Sequence, residues 1–555
     1  MRKSLILIIV ILWTSYLHCQ TFYLKAEGQN TSETQILDSL SYKRKFTVLK
    51  DLVDENKTIS EKLIKSGYLE HKSFAGKQIN DSTFLYSYSL GKQTKSIHIY
   101  IGDVRKKNYL DFWTEQNEDY WVIGIHEVEE KLQSIVLYFE KKGFPLTKVS
   151  LTNINNTNKI LYANLKIESG NERKIQEIVM NGYDKFPEGH LKSLTRQYRN
   201  LPPTQQNLFK INKDLEKFRF IKTIKGPEIL FQTDSTKVYV YVEKTKSNKF
   251  DGFIGFSNDE ESGFKLNGYV DLLLSNALNS GEQFMLYWKN DGNKQTTFNV
   301  GLDLDYLFKT QTALKTDLQI FRQDSIFQNT QFNLKLGYLF DYNTRLYLGL
   351  QTTESISTQN NITGISDYKS RFFTSTFEFV NFNHEDSLFP DKSMIHFNAG
   401  FGKRNSENNS ENQFFGLLEA HHNLYLNSNN LIYVKNISYY LKSESYLTNE
   451  LFRFGGIYSF RGFNENSLQA SLMSALITEY RYIINSGLYV HSIIDYGYFQ
   501  DKSTDMDNSL IGLGLGFGLR TKGGLLNFVY ANGSTKDNNI KLSNSIVHIS
   551  LKAGF

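Results

Sequence analysis

The sequence predicts α+β modules at the N-terminus, followed by an all-β, roughly 16-stranded antiparallel transmembrane β-barrel. Two observations lead to this fold class. Of the six prolines, only Pro390 lies beyond residue 250, and proline is kept out of a closed sheet because it cannot donate to the strand ladder. Phe and Tyr are abundant, with 41 and 34 copies against 4 of Trp. This abundance suits the aromatic girdles that a barrel places at both membrane interfaces.

The N-terminus has the three regions of a secretory signal peptide. Arg2 and Lys3 give the positive start, Leu5–Trp13 is apolar, and Thr14–Cys19 is more polar. The apolar run of about nine residues is too short to cross a bilayer as a helix. We therefore predict that residues 1–20 are a signal peptide, cleaved just before or just after Gln20.

Cys19 is the single cysteine of the chain. A lipoprotein signal acylated at Cys19 is an alternative, but such signals carry small residues before the cysteine. This chain has Tyr16, Leu17 and His18 there. With at most one cysteine, the mature chain forms no internal disulfide and no cysteine-based metal site.

Residues 21–249 predict three small α+β modules, over 21–92, 93–168 and 169–249. The third is the clearest, with the order β-α-α-β-β. Its predicted elements are a strand over Lys174–Asn181, helices over Glu188–Arg196 and Ile211–Phe218, and strands over Ile224–Thr233 and Thr236–Glu243. Each module spans about 75 residues, and the architecture repeats rather than the sequence. Three unrelated small domains are the alternative.

The first two modules show the same kinds of element with a weaker pattern. The second has a strand from Lys95, an amphipathic helix over Val128–Lys142, and strands over Lys148–Leu151 and Ile160–Ile167. The first starts near Phe22, with helical sequence around Val48–Ile64 and a strand near Phe84–Leu90. A domain of another kind is the alternative for the first module.

Residues 250–555 lose helical periodicity and alternate apolar with polar or small residues, in segments of about 8 to 14 residues. In the last segment, Val547, Ile549, Leu551, Ala553 and Phe555 form the apolar face. We count about sixteen segments, and an even number returns both ends of a barrel to the periplasm. Their centres lie near residues 253, 269, 286, 300, 317, 335, 348, 375, 398, 420, 437, 477, 494, 514, 528 and 550. A soluble β-sandwich or propeller is the alternative.

The longest gap between predicted strands follows the eleventh and contains Phe452–Phe463, with the sequence FRFGGIYSFRGF. This stretch contains the pair Gly455-Gly456, followed by the tip Arg461-Gly462-Phe463. It resembles the signature of the Omp85 superfamily (bacterial surface antigen D15, or BamA- and TamA-like assembly factors). In that family the tip lies on the sixth extracellular loop and folds back into the barrel lumen. The three N-terminal modules resemble the family's POTRA domains.

Sequence after the loop adds to this resemblance. Thr478–Arg481 is similar to the family's acidic strand motif. Asp495–Gly497 is similar to its F-x-D-x-G strand, although Ile493 replaces the aromatic residue. Phe555 matches the C-terminal aromatic signal that such barrels present to the assembly machinery. The resemblance covers essentially the whole mature chain.

A buried guanidinium needs a carboxylate partner, which Arg can bind through two parallel hydrogen bonds. Glu479 and Asp495 lie on neighbouring predicted strands, and the alternation turns both towards the lumen. We therefore expect Arg461 to pair with Glu479 or Asp495 and to hold the loop against the wall. Gly462 would remove a side chain where the tip meets that wall. The alternative is a solvated Arg461 on a surface loop.

The sequence carries no convincing active site. His126-Glu127 begins like a zinc-binding helix, but Glu130 stands where the second histidine is needed. Gly512–Gly518 repeats glycine with a period of two, which is typical of a strand rather than of a phosphate-binding loop. We predict a protein that is not an enzyme, with no catalytic residues, no metal and no cofactor.

The resemblance implies a factor of the Gram-negative outer membrane, with its modules in the periplasm, that assembles or translocates unfolded β-rich clients. These outer-membrane or secreted proteins would bind to module edges by β-augmentation. Accessory lipoproteins or an inner-membrane protein would be further partners, besides the lipid bilayer. A two-partner secretion transporter with one dedicated client is the alternative, and a passive porin or receptor is a third. The basic residues are scattered and the net charge is only +5, so no nucleic-acid binding is expected.

Overall fold

The computed structural model describes residues 21–102, 119–157, 160–233, 235–259, 263–290, 295–324, 326–359, 362–383, 386, 388–407, 409–521, 524–536 and 545–552. The predicted signal peptide and Phe555 lie outside the described residues. The chain forms two compact units, one up to Arg173 and the other from Lys174 onwards. No helix within the described ranges combines the length and the apolar character needed to cross a membrane.

The first unit begins with a small mixed sheet and two helices. Its elements are β1 (Phe22–Gly28), α1 (Thr31–Ser39), β2 (Lys45–Phe46), α2 (Leu49–Lys65), β3 (Lys72–Ser73), β4 (Lys77–Asn80) and β5 (Thr83–Ser89). β1 runs parallel to β5, and Leu52, Ile59 and Leu63 of α2 are buried in the core of this sheet. The periodicity does not predict α1. The helix starts at Asn30, whose side chain accepts a hydrogen bond from Glu33 N.

The first unit continues with a four-stranded sheet covered by one helix. Its elements are β6 (Ser96–Tyr100), β7 (Tyr120–Gly124), α3 (Val128–Lys141), β8 (Lys148–Thr157) and β9 (Ile160–Glu168). The strand order is β7-β6-β9-β8. Helix α3 buries Ile135 and Phe139 against Ile97 and Ile99 of β6, as its amphipathic spacing predicts.

The second unit opens with the predicted order β-α-α-β-β. Its elements are β10 (Glu177–Asn181), α4 (Glu188–Tyr198), α5 (Gln205–Leu215), β11 (Ile221–Phe231) and β12 (Thr236–Lys244). We refer to them as the third module. The predicted start of the second helix at Ile211 is wrong, because Thr204 caps that helix: its hydroxyl accepts a hydrogen bond from Asn207 N at 3.1 Å.

The rest of the second unit is a barrel. Its strands are β13 (Lys249–Asp259), β14 (Gly263–Ser275), β15 (Gln283–Asn290), β16 (Gln295–Leu307), β17 (Thr312–Gln323), β18 (Phe327–Leu339), β19 (Thr344–Ser357), β20 (Tyr368–Phe382), β21 (Asp391–Ser406), β22 (Asn409–Tyr425), β23 (Asn430–Lys442), β24 (Phe452–Phe454), β25 (Leu468–Ala470), β26 (Leu472–Asn485), β27 (Leu488–Asp501), β28 (Met506–Thr521), β29 (Gly524–Thr535) and β30 (Ile546–Lys552). β24 and β25 form a separate pair, and the others form one 16-stranded sheet in chain order. Cα atoms of β13 and β30 come within 8 Å of each other. The predicted 16-stranded antiparallel barrel is confirmed, and each predicted centre lies in its own strand.

The barrel wall is apolar outside and polar inside. In β18, Leu334 and Leu336 are exposed on the outer face, whereas Asn333 and Lys335 are buried on the lumen side. A spanning sheet needs this arrangement because the bilayer core offers no hydrogen bonds to polar groups.

His190 of α4 joins the third module to the barrel. It is fully buried among the rings of Phe218 and Phe220 from the module and of Tyr306 and Tyr342 from the barrel. Its ring centroid lies 4.6 Å from that of Tyr306. The module and the ends of the barrel strands therefore share one aromatic core.

Polar contacts surround this core. The Tyr183 hydroxyl donates to Asn279 Oδ1 at 2.8 Å and accepts from Asn276 Nδ2 at 3.0 Å, both in the turn after β14. Lys309 Nζ, in the turn after β16, lies 2.5 Å from Glu188 Oε2. These contacts hold the third module against two barrel turns.

The buried imidazole makes this docking sensitive to pH. Burial, assisted by the charge of Arg345, lowers the pKa of His190 from 6.5 to about 3. Protons therefore bind preferentially to the undocked form as the pH falls below 6.5. We expect docking to weaken by about 2 kcal/mol at pH 5 relative to neutral pH. Hydrogen exchange of α4 at the two pH values, corrected for intrinsic rates, measures this. His190→Phe should lose the dependence, and equal loosening in that variant would contradict it.

Candidate functional site

The connection between β23 and β26, residues 443–471, folds into the barrel, and we call it the lumen loop. Phe454 of β24 and Phe460 nearer the tip are both buried. The ring of Phe454 packs edge-on against Phe499 of β27, with centroids 5.6 Å apart. The lumen loop is therefore part of the packed interior of the barrel.

Arg461 at the tip binds both acids that the sequence offers as partners. It is 2% exposed. Its Nε donates to Asp495 Oδ2 at 2.8 Å and its Nη2 to Asp495 Oδ1 at 2.5 Å, a bidentate pair. Its Nη1 donates to Glu479 Oε1. The sequence-based expectation names either acid, whereas the structure brings Arg461 into contact with both.

The strand register positions the two acids. Asp495 of β27 lies opposite Ile477 of β26, so Glu479, two residues further along β26, faces the same lumen side. A second guanidinium completes the cluster, because Arg481 Nε donates to Glu479 Oε2 at 2.6 Å. Two arginines and two carboxylates balance their formal charges. Removing one member strands a buried charge, at a cost of about 3–5 kcal/mol.

The tip glycines allow the backbone of the lumen loop to touch the wall. Gly462 has φ +86°, and a Cβ there would overlap the backbone of Gly533 in β29. Only glycine tolerates both the left-handed conformation and this approach. Gly455 and Gly456 also have positive φ, at +111° and +94°. They turn the chain so that Ser459 Oγ donates back to the Gly455 carbonyl at 2.7 Å.

Two aromatic rings seal the tip. Phe463 packs with Phe460 at a centroid distance of 5.7 Å. Phe460 lies over Gly497 and Gly512, where a Cβ would meet its ring. The role of Phe460 is not predicted from the sequence. Glycine on adjacent strands could have indicated that something packs closely there.

A second ion cluster, which sequence reasoning missed, holds the start of the lumen loop. Arg404 of β21 is 1% exposed. It lies 2.9 Å from Glu411 Oε2 and 2.5 Å from Glu450 Oε1, and Gln413 Nε2 donates to Glu450 at 2.9 Å. Arg404 and Glu411 are register partners, so strand alternation could have found them. Glu450 ends a single 3-10 turn, Thr448–Glu450, which is too short to show a period.

Cavities lie on two sides of the lumen loop. One of about 860 Å³ is lined by many amide side chains, among them Gln331, Asn333 and Asn398. Another of about 1180 Å³ lies between the third module, including Arg219, and the Arg461 tip. Among the described residues, no group of three or more His, Cys, Asp or Glu is placed to hold a metal ion.

The fold and the site together define a class: a 16-stranded antiparallel barrel with an anchored inward loop and an α/β module docked at one end. Solved structures of CdiB from Escherichia coli and from Acinetobacter baumannii have this fold. They align over 94% of this chain and 98% of theirs, with TM-scores of 0.52 and 0.51 and identities of 14% and 12%. CdiB is a member of the Omp85 superfamily, so the chain has the Omp85 fold.

A structure of BamA from Haemophilus ducreyi lacking POTRA domains 1-3 aligns over 77% of this chain and 93% of its own, with 16% identity and a TM-score of 0.49. No protein-family model matches the chain, and no curated protein matches it either.

We expect the anchor to stabilise the barrel in proportion to the bonds each member makes. Asp495→Asn should lower stability more than Glu479→Gln, because Asp495 holds the bidentate pair. Arg461→Lys should not regain the stability that Arg461→Ala loses, since an ammonium cannot make the bidentate pair with Asp495. Urea unfolding in detergent measures the effect, which we expect at about 3–5 kcal/mol for Arg461→Ala. Outward-facing Arg371→Ala is the matched control, and an equal effect there would contradict the prediction.

Proposed function

We propose that this protein assembles or translocates other proteins at the outer membrane of a Gram-negative bacterium, with its N-terminal modules in the periplasm. The observation that carries the proposal is the lumen loop, anchored through Arg461 to two strands of the wall. A bulky loop fixed across the lumen obstructs a passive water-filled pore. A machine that opens for a client needs a defined closed state, which this anchor supplies.

The modules supply edges on which an unfolded client can bind. In the third module the strand order is β10-β12-β11, so β11 forms one edge of the sheet. We propose that this module and those of the first unit are POTRA-like. Backbone hydrogen bonds from a client to such an edge require no particular sequence. This chemistry suits unfolded β-rich proteins as a class.

The barrel offers a second edge pair at β13 and β30, its first and last strands. We propose that this seam receives a client strand when it opens sideways. An open edge in lipid is costly, so opening would be coupled to strand exchange with a client. Phe555 would serve as the C-terminal signal for the protein's own assembly.

Secretion of one dedicated client is the second candidate. The likeness to CdiB, a two-partner transporter, over 94% of this chain and 98% of the E. coli protein favours it. In that case the client would pass through the lumen after the loop moves, instead of entering the bilayer at the seam. Accessory lipoproteins or an inner-membrane partner belong to the assembly candidate.

Depletion separates the two candidates. We expect that removing the protein lowers several unrelated β-barrels in the outer-membrane proteome, because they share one assembly factor. Loss of one secreted protein with the barrels intact would instead support dedicated secretion. Wild type and Arg371→Ala should restore the lost proteins, whereas Arg461→Ala, at matched abundance in the membrane, should not. No change in either proteome would overturn the proposal.

A further inference from the structure

A short segment between β20 and β21 turns into the barrel at the end that faces the third module. Leu388–Asp391, which we call the mouth segment, contains Pro390, the single proline beyond residue 250. Leu388 and Phe389 are each 6% exposed. The side chain of Asp386 accepts hydrogen bonds from the backbone N–H groups of Leu388 and Phe389 at 3.0 and 2.8 Å. This turn directs both apolar side chains inward.

The inner end of the mouth segment contacts the loop anchor. The guanidinium of Arg481 lies 4.4 Å from the ring centroid of Phe389, and the ring of Tyr489 packs edge-on against Phe389 at 4.7 Å. Arg481 shares Glu479 with Arg461. Phe389 is therefore separated from Arg461 by only two side chains, although it does not belong to the lumen loop.

The outer end of the mouth segment contacts the third module. Asp391 Oδ1 lies 2.9 Å from Nη2 of Arg219, which stands between α5 and β11. The Arg219 guanidinium also covers the ring of Phe382 at 4.8 Å. The ion pair is partly exposed, with side-chain exposures of 31% and 46%, so solvent weakens this link relative to the buried inner end.

A second route joins the two ends. Asn423 Nδ2 donates to the Asp391 carbonyl at 3.0 Å, and Asn423 Oδ1 accepts from Arg481 Nη1 at 3.1 Å. Arg481 is thus held by the mouth segment through its ring contact and through this amide. A turn that only connects β20 to β21 needs none of these contacts. The inward Phe389 therefore has a structural role beyond joining the two strands.

We propose that the mouth segment is a positioning element that couples the third module to the anchor of the lumen loop. Movement of the module acts through Arg219 on Asp391, shifts Phe389 from Arg481, and weakens the hold of Glu479 on Arg461. A client that arrives at the modules would loosen the lumen loop by this path. That last step rests on the proposed function, whereas the coupling itself does not.

Hydrogen exchange of the loop tip, residues 455–463, in the purified full chain without client tests the coupling. We expect Phe389→Ala to speed this exchange about tenfold, because Arg481 loses its aromatic support. Phe389→Tyr should restore the wild-type rate, since it keeps the ring. Leu426→Ala, in the turn after β22 and 60% exposed, is the matched control and should change nothing.

The outer link is tested by charge exchange. Arg219→Asp should speed exchange at the loop tip about threefold, and the double variant Arg219→Asp with Asp391→Arg should return it to wild type. Unchanged exchange at the tip in Phe389→Ala, with the barrel folded, would overturn the coupling whatever the proteomes show. Failure of the proposed function would be seen in the depletion experiment alone, since no client is present here.

Discussion

A guanidinium held between two carboxylates orders the interior of this barrel. Arg461 is supplied by an irregular loop, whereas Glu479 and Asp495 come from the regular wall. The charge contact therefore ties the least regular part of the barrel to its most regular part. The close approach of Gly462 to β29 and the packing of Phe460 over two wall glycines follow from it, because both require the tip to lie at one position.

The end of the barrel that carries the third module is held by a different kind of contact. The third module docks through an aromatic core around a neutral His190, where burial and shape matter more than charge. The inward turn at Phe389 lies between the two regions and contacts both. One chain segment thus links a module held by apolar packing to a loop held by ionic bonds.

Sequence periodicity predicts the elements whose side chains have only two environments. Each of the sixteen strands separates lipid from lumen, so alternation reveals it, and it also places Glu479 and Asp495 inward. The start of helix α5 is not predicted, because it depends on one hydroxyl at Thr204. The contacts of Glu450 and Phe389 are not predicted, because Glu450 lies in a 3-10 turn of three residues and Phe389 lies in irregular chain, and neither segment shows a period. Their partners, Arg404 and Arg481, lie on strands, but strand alternation alone does not match them to residues in a connecting segment.

The crossing of Gly462 and Gly533 has a consequence for the order of events during folding. Arg461 and Gly462 precede the wall strands that they contact here: β26 and β27 supply the carboxylates, and β29 supplies the surface that the glycine crosses. In whatever order the strands pair, Arg461 lacks its carboxylate partners until these later strands are in register. A tip bound at this position therefore requires that β26, β27 and β29 are already in register.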